Sequence, residues 1–241
     1  MFKTALKELG FADVYETALG ADMGCMAEAE HYVKEVATGK QQFALTSCCP
    51  SWSVMAKNLF PETIDKISNE LTPMVATARL IKQEHPDASV FIAPCASKKL
   101  EASRRTVRSD VDFVITFEEL TGMFEAKGIL LDEIKAMDEM KDATAAGRGY
   151  GVAGGVANAI KECIEQYYPG TPVNIQHAES LAECKKALLL AKAGKMNGCL
   201  IEGMACPGGC IAGAGTNIAI PVAARAVDKF KNEAEKKVPD E

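Results

Sequence analysis

The residues of this sequence best suited to chemistry are cysteines that stand in loops among proline and glycine. Two are adjacent, Cys48 and Cys49 in "TSCCPSW", one is Cys95 in "APCASKK", and two are Cys206 and Cys210 in "MACPGGC". A neighbouring pair does not close an ordinary disulfide without strain, and adjacent thiolates seldom ligate the same metal centre. Cys48 and Cys49 are therefore expected to have different functions.

The cysteine spacing favours an iron-sulfur cluster over zinc. Four thiolates at one site suit either metal centre, but structural zinc normally uses paired C-x2-C knuckles. Here the close pair is C-x3-C, while Cys49 and Cys95 arrive singly. A 4Fe-4S cubane is favoured because its four irons lie at separated corners and accept ligands from separate loops. The cysteines interpreted as small buried hydrophobic residues are Cys25, Cys163, Cys184 and Cys199.

The composition describes a globular chain of 241 residues, 48% hydrophobic and 25% charged, with a net charge of -6. It carries no basic stripe, which argues against nucleic acid and against docking to an acidic membrane surface. Nine cysteines, an odd number, indicate reduced thiols rather than a disulfide framework. The sequence contains no apolar run of about 18 residues that would predict membrane insertion. Its N-terminus has the pattern of an amphipathic helix rather than of a signal peptide, so a cytoplasmic location is predicted.

Strand-like and helical patterns alternate along the chain and predict an α/β fold with mostly parallel sheet, flanked by helices and arranged in two lobes. The first lobe is predicted at 1–135 and the second at 136–241, joined through the polar and then glycine-rich stretch 132–150. Each cysteine loop follows a predicted strand, and ligands of such folds bind beyond the carboxyl ends of strands, so the cluster is expected in the cleft between the lobes. Strands are predicted at 12–15, 43–46, 89–94, 111–116, 173–177 and 198–204, and helices at 2–9, 22–37, 50–59, 72–84, 117–127, 154–166, 180–193 and 221–237.

Three segments together resemble the signature loops of the catalytic domain of iron-iron (FeFe) hydrogenases. They are "TSCCPSW", "PCASKKLE" and "EGMACPGGCIAGAG", and the resemblance extends from "TALKELGF" near residue 4 to about residue 217. The family implies an H-cluster, in which a 4Fe-4S cubane is joined through a cysteine sulfur to a diiron subcluster with CO, cyanide and azadithiolate ligands. By motif position the cubane would be held by Cys49, Cys95, Cys206 and Cys210, with Cys210 as the bridge.

The resemblance also implies a proton path and a cluster environment. Cys48 matches the family's proton-transfer thiol, and a thiol with an ordinary pKa near ~8.5 exchanges a proton at neutral pH. Glu28 and Ser68 match the next stations of that path. Lys98 matches a cation that hydrogen-bonds a cyanide ligand, and Met204 matches a methionine packed on the cluster. Without the resemblance, these would read as a buried thiol, solvated charges and ordinary core.

Several positions depart from the family pattern. Ala93 precedes Pro94 where many members have a methionine lining the diiron unit, so a roomier cofactor pocket is expected there. His31 and Glu35 stand where catalytic members carry a glutamate and an arginine at the outer end of the proton path. Such changes resemble the sensory branches. The chain also begins after the family's "P-A/S-V-R" segment and has no ferredoxin-like cysteine runs, so a minimal enzyme, a truncation and one part of a larger assembly all remain open.

The implied function is reversible H2 oxidation and proton reduction, either catalytic or H2-sensing. The implied partners are H2 and protons, a ferredoxin-like electron partner or an associated iron-sulfur domain, and hydrogenase maturation proteins. The alternative is a Narf-like iron-sulfur protein that holds only a 4Fe-4S cluster and has an assembly role. Cys48 and Lys98 favour the hydrogenase, because they serve the diiron chemistry and have no evident use around a plain cubane.

A glycine-rich motif, "GYGVAG" at 149–154, has the spacing of a dinucleotide-binding loop. No apolar strand precedes it, and no acidic residue closes a following strand at the distance that such sites require. The motif is therefore predicted to be a tight turn with close backbone packing. His85 and His177 have no ligand partners at metal spacing and are interpreted as structural or surface residues.

Overall fold

Two small parallel sheets, flanked by helices, form the framework of the computed structural model, which describes residues 1–135 and 138–240. One sheet has three strands in the order β1-β5-β4, and the other pairs β2 with β3. Every strand pair is parallel, and the predicted α/β class is confirmed. The strands are β1 (Ala44–Leu45), β2 (Val90–Ile92), β3 (Phe113–Ile115), β4 (Asn174–Glu179) and β5 (Cys199–Met204).

Helices supply the crossover connections that parallel strands require. Proline opens α3 at Pro50 and α4 at Pro73, where the missing N–H has no helical partner to lose. In the part of the chain that the structure describes, no helix is long and apolar enough to cross a membrane. The helices are α1 (Phe2–Leu9), α2 (Ala18–His31), α3 (Pro50–Leu59), α4 (Pro73–Glu84), α5 (Ser97–Ala102), α6 (Phe117–Lys127), α7 (Ala145–Arg148), α8 (Gly155–Tyr167), α9 (Leu181–Lys192) and α10 (Ile220–Asn232).

Four predicted elements differ from the structure. The helix predicted at 221–237 begins at Ile220 and already ends at Asn232. The predicted strand 12–15 is a loop: Ala12 and Asp13 are exposed, and the segment belongs to neither sheet of the described chain. The helix predicted at 22–37 begins earlier, at Ala18, and continues as a π-helix over Tyr32–Val36. The stretch predicted as a linker, 132–150, contains a buried helical turn; positions 136–137 lie outside the described residues.

The buried turn is held by an ion pair and hydrogen bonds in addition to the apolar packing of Ala146. The Arg148 guanidinium donates to both carboxylate oxygens of Glu16, at 2.8 and 2.7 Å, and both residues are buried. The Asp22 carboxylate accepts hydrogen bonds from Thr144 and from the Gly147 backbone. These partners lie more than a hundred positions away along the chain, so local composition resembles a linker while the folded segment belongs to the core.

Strand pairing crosses the predicted lobe boundary at 135. Strand β1 pairs with β5 through Ala44 with Leu200 and Leu45 with Ile201, so the three-stranded sheet takes strands from both halves of the chain. The β2–β3 sheet lies entirely within 1–135. The division of the chain into two lobes stays a prediction.

A tryptophan sets the distance between β5 and α3. Trp52 is fully buried, and its indole N–H donates to the carbonyl oxygen of Thr46 at 2.9 Å. A Cβ at Gly203 would lie 2.2 Å from the Trp52 ring, so glycine is required there. This close approach brings the loop before α3, which carries Cys49, against the end of the strand that leads to Cys206.

The cysteines outside the loops mostly lie in the core, as predicted. Cys25, Cys163 and Cys184 are fully buried, and Cys199 is half-buried. The sulfur atoms of Cys25 on α2 and Cys163 on α8 lie 3.2 Å apart. Helix α2 therefore packs directly on α8 at this point.

Candidate metal centre

The three cysteine loops all leave the carboxyl ends of strands, as predicted. Cys48 follows β1, Cys95 follows β2, and Cys206 follows β5. Hydrogen bonds join the loops to one another. The Gly215 N–H donates to the Pro94 carbonyl at 2.9 Å, which ties the third loop to the second.

The second loop is also tied to the first. The Lys98 ammonium donates to the Cys48 carbonyl at 3.2 Å, and the hydroxyls of Ser51 and Ser97 hydrogen-bond at 2.6 Å. The structure thus brings together three loops that lie far apart in the sequence. More than 40 positions separate the first loop from the second, and more than 100 separate the second from the third.

The predicted cubane ligands Cys49, Cys95, Cys206 and Cys210 are half-buried free thiols, and the first three lie near enough to Cys210 to influence its pKa. Burial raises the pKa of Cys210 to about 12, with Cys49 and Cys95 adding to the rise and the Lys98 cation opposing it. Burial also raises the pKa of Cys206, and Cys49 and Cys95 again contribute. The thiolates of Cys206 and Cys210 are thus disfavoured by burial and by their neighbours, a repulsion that a bound cation would relieve.

The donor set fits a multi-iron cluster better than a single ion. Within residues 1–135 and 138–240, no group of three histidine, cysteine or acidic side chains converges tightly enough to hold one metal ion. A cubane does not require such convergence, because each thiolate binds a different iron. Four thiol donors are also the set typical of 4Fe-4S clusters.

Glycine allows the third loop to approach its neighbours. Gly209 has a φ of +90°, and a Cβ there would lie 2.5 Å from the Ala153 nitrogen. A Cβ at Gly213 would lie 2.3 Å from the Pro94 carbonyl oxygen. Any larger residue at either position would push the Cys206–Cys210 loop away from the rest of the site.

The two adjacent cysteines face different surroundings. Cys48 lines a cavity of about 830 Å³ together with Lys98 and Cys210, whereas Cys49 is not among the residues that line it. Cys48 packs against the apolar cluster that contains Met204, and Cys49 against the one that contains Trp52. Burial raises the pKa of the Cys48 thiol well above its ordinary value, with contributions from Cys210 and Glu28.

Lys98 is buried, with 7% of its surface exposed. Its ammonium pairs with a carboxylate oxygen of Glu101 at 2.7 Å, and the Thr72 hydroxyl donates to the other oxygen at 2.7 Å. Lys98 is therefore a fixed cation beside the cavity rather than a mobile surface lysine.

Of the predicted proton-path residues, Glu28 lies near Cys48, and Ser68 lies beside Glu28. Glu28 is on α2, and its Oε2 atom is buried with no hydrogen-bond partner among the residues that the structure describes. Burial raises the pKa of Glu28 to about 7; Glu70 and Glu202 contribute to the rise, and the Ser68 hydroxyl offsets part of it. Further along the chain, His31 is exposed in the last turn of α2, and Glu35 is half-buried in the π-helix.

Ala93, Pro94 and Met204 hold structural positions at the site. The Ala93 N–H donates to the Ile115 carbonyl at 3.1 Å, which extends the β2–β3 pairing. Met204 is buried at the end of β5. None of the three lines the cavity beside Cys48, so their predicted contact with a cofactor stays a prediction.

Tyr150 was not singled out by the sequence patterns, yet it lines the cavity with Cys48 and Cys210. Burial raises the pKa of its hydroxyl well above the ordinary value, and Glu28 and Cys48 contribute. An aromatic residue between the glycines of "GYGVAG" was the available signal.

Glu202 is a second residue that the patterns did not single out. It is 1% exposed, and its carboxylate accepts the N–H groups of Gly154 at 2.6 Å and Ala157 at 2.7 Å. The last N–H of the "GYGVAG" turn, that of Gly154, therefore binds a carboxylate of the chain itself. Gly154 has a φ of 82°, which confirms the prediction of a tight turn. The available signal was a glutamate inside an apolar strand.

The three cysteine loops at strand ends of a parallel α/β fold resemble those of the hydrogenase family, and the comparison with known families agrees. A family model described as "Iron only hydrogenase large subunit, C-terminal domain" matches residues 1–214. The chain belongs to this family.

Two hydrogenases are among its relatives. The chain is 28% identical over 254 residues to iron hydrogenase 1 of Clostridium pasteurianum, covering 88% of this chain and 44% of that protein. It is 29% identical over 271 residues to the periplasmic Fe hydrogenase large subunit of Nitratidesulfovibrio vulgaris, covering 93% and 64%. The chain thus spans between about half and two thirds of the length of these relatives.

A different class of relative also appears. The chain is 30% identical over 144 residues to the cytosolic Fe-S cluster assembly factor NAR1 of Meyerozyma guilliermondii, covering 54% of this chain and 26% of that protein.

Among solved structures, an FeFe hydrogenase variant from Chlamydomonas reinhardtii superposes with a TM-score of 0.74 at 22% identity, covering 98% of this chain and 78% of that one. The superposition shows that the fold is shared.

Proposed function

We propose that this chain binds an H-cluster and interconverts H2 with protons and electrons, either as a catalyst or as an H2 sensor. The observation that carries the proposal is the position of Cys210, which lines one cavity with Cys48 and Lys98 and has Cys49, Cys95 and Cys206 near enough to raise its pKa. Membership of the hydrogenase family supports the same chemistry.

In this proposal a 4Fe-4S cubane is held by Cys49, Cys95, Cys206 and Cys210. By its motif position Cys210 would be the bridge to a diiron subcluster with CO, cyanide and azadithiolate ligands, and its place in the lining of the cavity supports that role. When bound, this cofactor supplies the site of H2 splitting and the store of electrons. Lys98, held by Glu101, would present its ammonium to an anionic ligand of the cofactor.

Met204, Ala93 and Pro94 would pack around the cofactor from the ends of β5 and β2. Ala93 occupies less volume than the methionine common in the family. The proposal therefore retains the expectation of a roomier pocket and slower turnover.

The proton is proposed to move between Cys48 and Glu28. Cys48 would hold a proton on its sulfur at the cavity, and Glu28 would accept it on its buried carboxylate. A pKa of about 7 suits this role, since the group is protonated and deprotonated to similar extents near neutral pH. Ser68 lies beside Glu28, and His31 near the solvent end of α2 would receive the proton last.

Infrared spectroscopy tests the proposal directly. After expression with hydrogenase maturation proteins, or after addition of a synthetic diiron precursor to the cubane-loaded chain, bands from iron-bound CO and cyanide are expected. A chain that carries a cubane but never shows these bands would not be an H-cluster protein.

The alternative is an iron-sulfur protein that holds only the cubane and serves in cluster assembly. The similarity to NAR1 over about half of the chain favours it. It predicts four irons without CO bands, and cubane properties that do not change when Cys48 is replaced.

The electron partner, whether ferredoxin-like or an associated iron-sulfur domain, is part of the hydrogenase proposal. So is a cytoplasmic location, although one relative is periplasmic.

A further inference from the structure

The loop between Cys206 and Cys210 is held on two sides at Gly208. The Gly208 N–H donates to Oε2 of Glu179 at 2.6 Å, and the Gly208 carbonyl accepts the Ala153 N–H at 3.2 Å. Glycine has no side chain to anchor, so the backbone partners of Gly208 must determine where this loop lies.

The Ala153 side of this arrangement is itself held by a carboxylate. Ala153 precedes Gly154, whose N–H donates to Glu202, as does the N–H of Ala157 in the first turn of α8. A carboxylate at a helix N-terminus interacts favourably with the unpaired N–H groups and the helix dipole. Because Glu202 is buried, these bonds have no water to replace them.

Both carboxylates project from the sheet that leads into the loop. Glu179 ends β4 and is in register with Met204, the last residue of β5. Glu202 is in register with His177 and stands four positions before Cys206. Two neighbouring parallel strands therefore each contribute one carboxylate to the support of the same loop.

We propose that Glu179 and Glu202 are positioning residues for the cluster-binding loop. Glu179 holds Gly208 directly, and Glu202 holds it through the turn at Ala153 and Gly154. Neither is a ligand; both act by fixing Cys206 and Cys210 before metal arrives. The metal-binding part of this inference rests on the proposed function, whereas the positioning of the loop does not.

Hydrogen exchange of the metal-free full chain tests the positioning without any cluster. Glu179→Ala removes the acceptor of Gly208 and is expected to speed exchange in peptides covering 205–213 at least tenfold. Glu179→Gln keeps an acceptor oxygen and should restore most of the protection. Glu202→Gln keeps the size of the buried side chain but loses one of its two acceptors. It should speed exchange in both 150–158 and 205–213.

Asp112→Ala is the matched control. The Asp112 carboxylate also accepts one backbone N–H, from Ser89 at 2.8 Å, but it lies before β3, away from the strand end that carries the cluster loop. It should leave exchange in 205–213 unchanged. Equal exchange in Glu179→Ala and in the unaltered chain would overturn the role of Glu179. Faster exchange at 150–158 alone in Glu202→Gln would overturn that of Glu202.

Iron release to a chelator then tests the consequence for the cluster. In chain loaded with a cubane, Glu179→Ala should lose iron several-fold faster, and Glu179→Gln and Asp112→Ala at nearly the original rate. If the exchange results hold but iron release is unchanged in Glu179→Ala, the link between loop position and metal binding is overturned. If the unaltered chain never loads iron, the proposed function fails, while the exchange results still decide the positioning.

Discussion

The side chain of Lys98 joins two of the cysteine loops, since its ammonium donates to the carbonyl of Cys48 at 3.2 Å. Glu101 holds the same ammonium at 2.7 Å, and Thr72 holds Glu101. Lys98 and Glu101 are both buried and largely shielded from water, so each side chain compensates the charge of the other.

Replacing Lys98 by methionine should be strongly destabilising, because it leaves the Glu101 carboxylate buried without its cation. We expect the free energy of unfolding, measured in urea, to fall by about 3–5 kcal/mol. Lys99→Met is the control, since Lys99 pairs with Glu119 at the exposed surface. That loss should stay below about 1 kcal/mol. Similar losses in both variants would contradict a special contribution from the buried pair.

Glu28 should make stability depend on pH. Its pKa rises from 4.5 to about 7 on folding, so between these values the folded chain binds the proton more tightly than the unfolded chain. The free energy of unfolding should therefore fall as pH rises from about 5 to 7, by roughly 3 kcal/mol at most. Glu28→Gln should flatten this slope, whereas Glu30→Gln, exposed on the same helix, should not. An unchanged slope in Glu28→Gln would show that Glu28 is not the titrating group.

The four predicted cubane ligands should determine iron loading. Anaerobic reconstitution is expected to load about four irons per chain, with broad visible absorption from thiolate-iron charge transfer. Alanine at Cys49, Cys95 or Cys206 should abolish stable loading, while Cys199→Ala should leave it intact. A full cubane in the triple variant would mean that the ligands are wrongly chosen.

Replacing each of the two adjacent cysteines, Cys48 and Cys49, should have a different effect. Cys49→Ala should lose cubane iron, whereas Cys48→Ala should keep iron and CO bands but lose most H2 turnover, since alanine holds no exchangeable proton. Cys48→Asp should recover part of the activity with an altered pH profile. Combining Cys48→Ala with Glu28→Gln should be little worse than either change, because both interrupt one path. Full turnover in Cys48→Ala would reduce Cys48 to a structural thiol.

A methyl group at Gly213 should separate two loops. A Cβ there would lie 2.3 Å from the Pro94 carbonyl oxygen, so the third loop must move away from the second. We expect Gly213→Ala to reduce iron loading and to lower the free energy of unfolding by about 1–3 kcal/mol. A Cβ at Gly151 would lie 3.7 Å from its nearest neighbour, a methyl group of Ile211, which is an ordinary contact, so Gly151→Ala should be tolerated. Equal iron content in both variants would show that loop spacing is not critical.

Local chemistry made much of the fold and site predictable from sequence. The helices predicted at 2–9, 50–59 and 117–127 have those bounds in the structure. Their ends depend on nearby residues, such as the proline that opens α3 and the capping box that opens α6. The cysteine loops were recognisable for the same reason, since residue type and spacing within each loop are themselves local.

Only the tertiary structure decided which distant groups meet. The sequence presented Glu202 as one glutamate in an apolar strand, and the fold placed it 2.6 Å from the Gly154 nitrogen, 48 positions away. Arg148 and Glu16 stand 132 positions apart, and their pairing turned a predicted linker into buried core. Local periodicity carries no record of such partners, because their attraction acts only after the chain has brought them together. Once such a pair is buried, removing one partner leaves the other as an uncompensated charge in the core. Composition alone does not reveal this dependence.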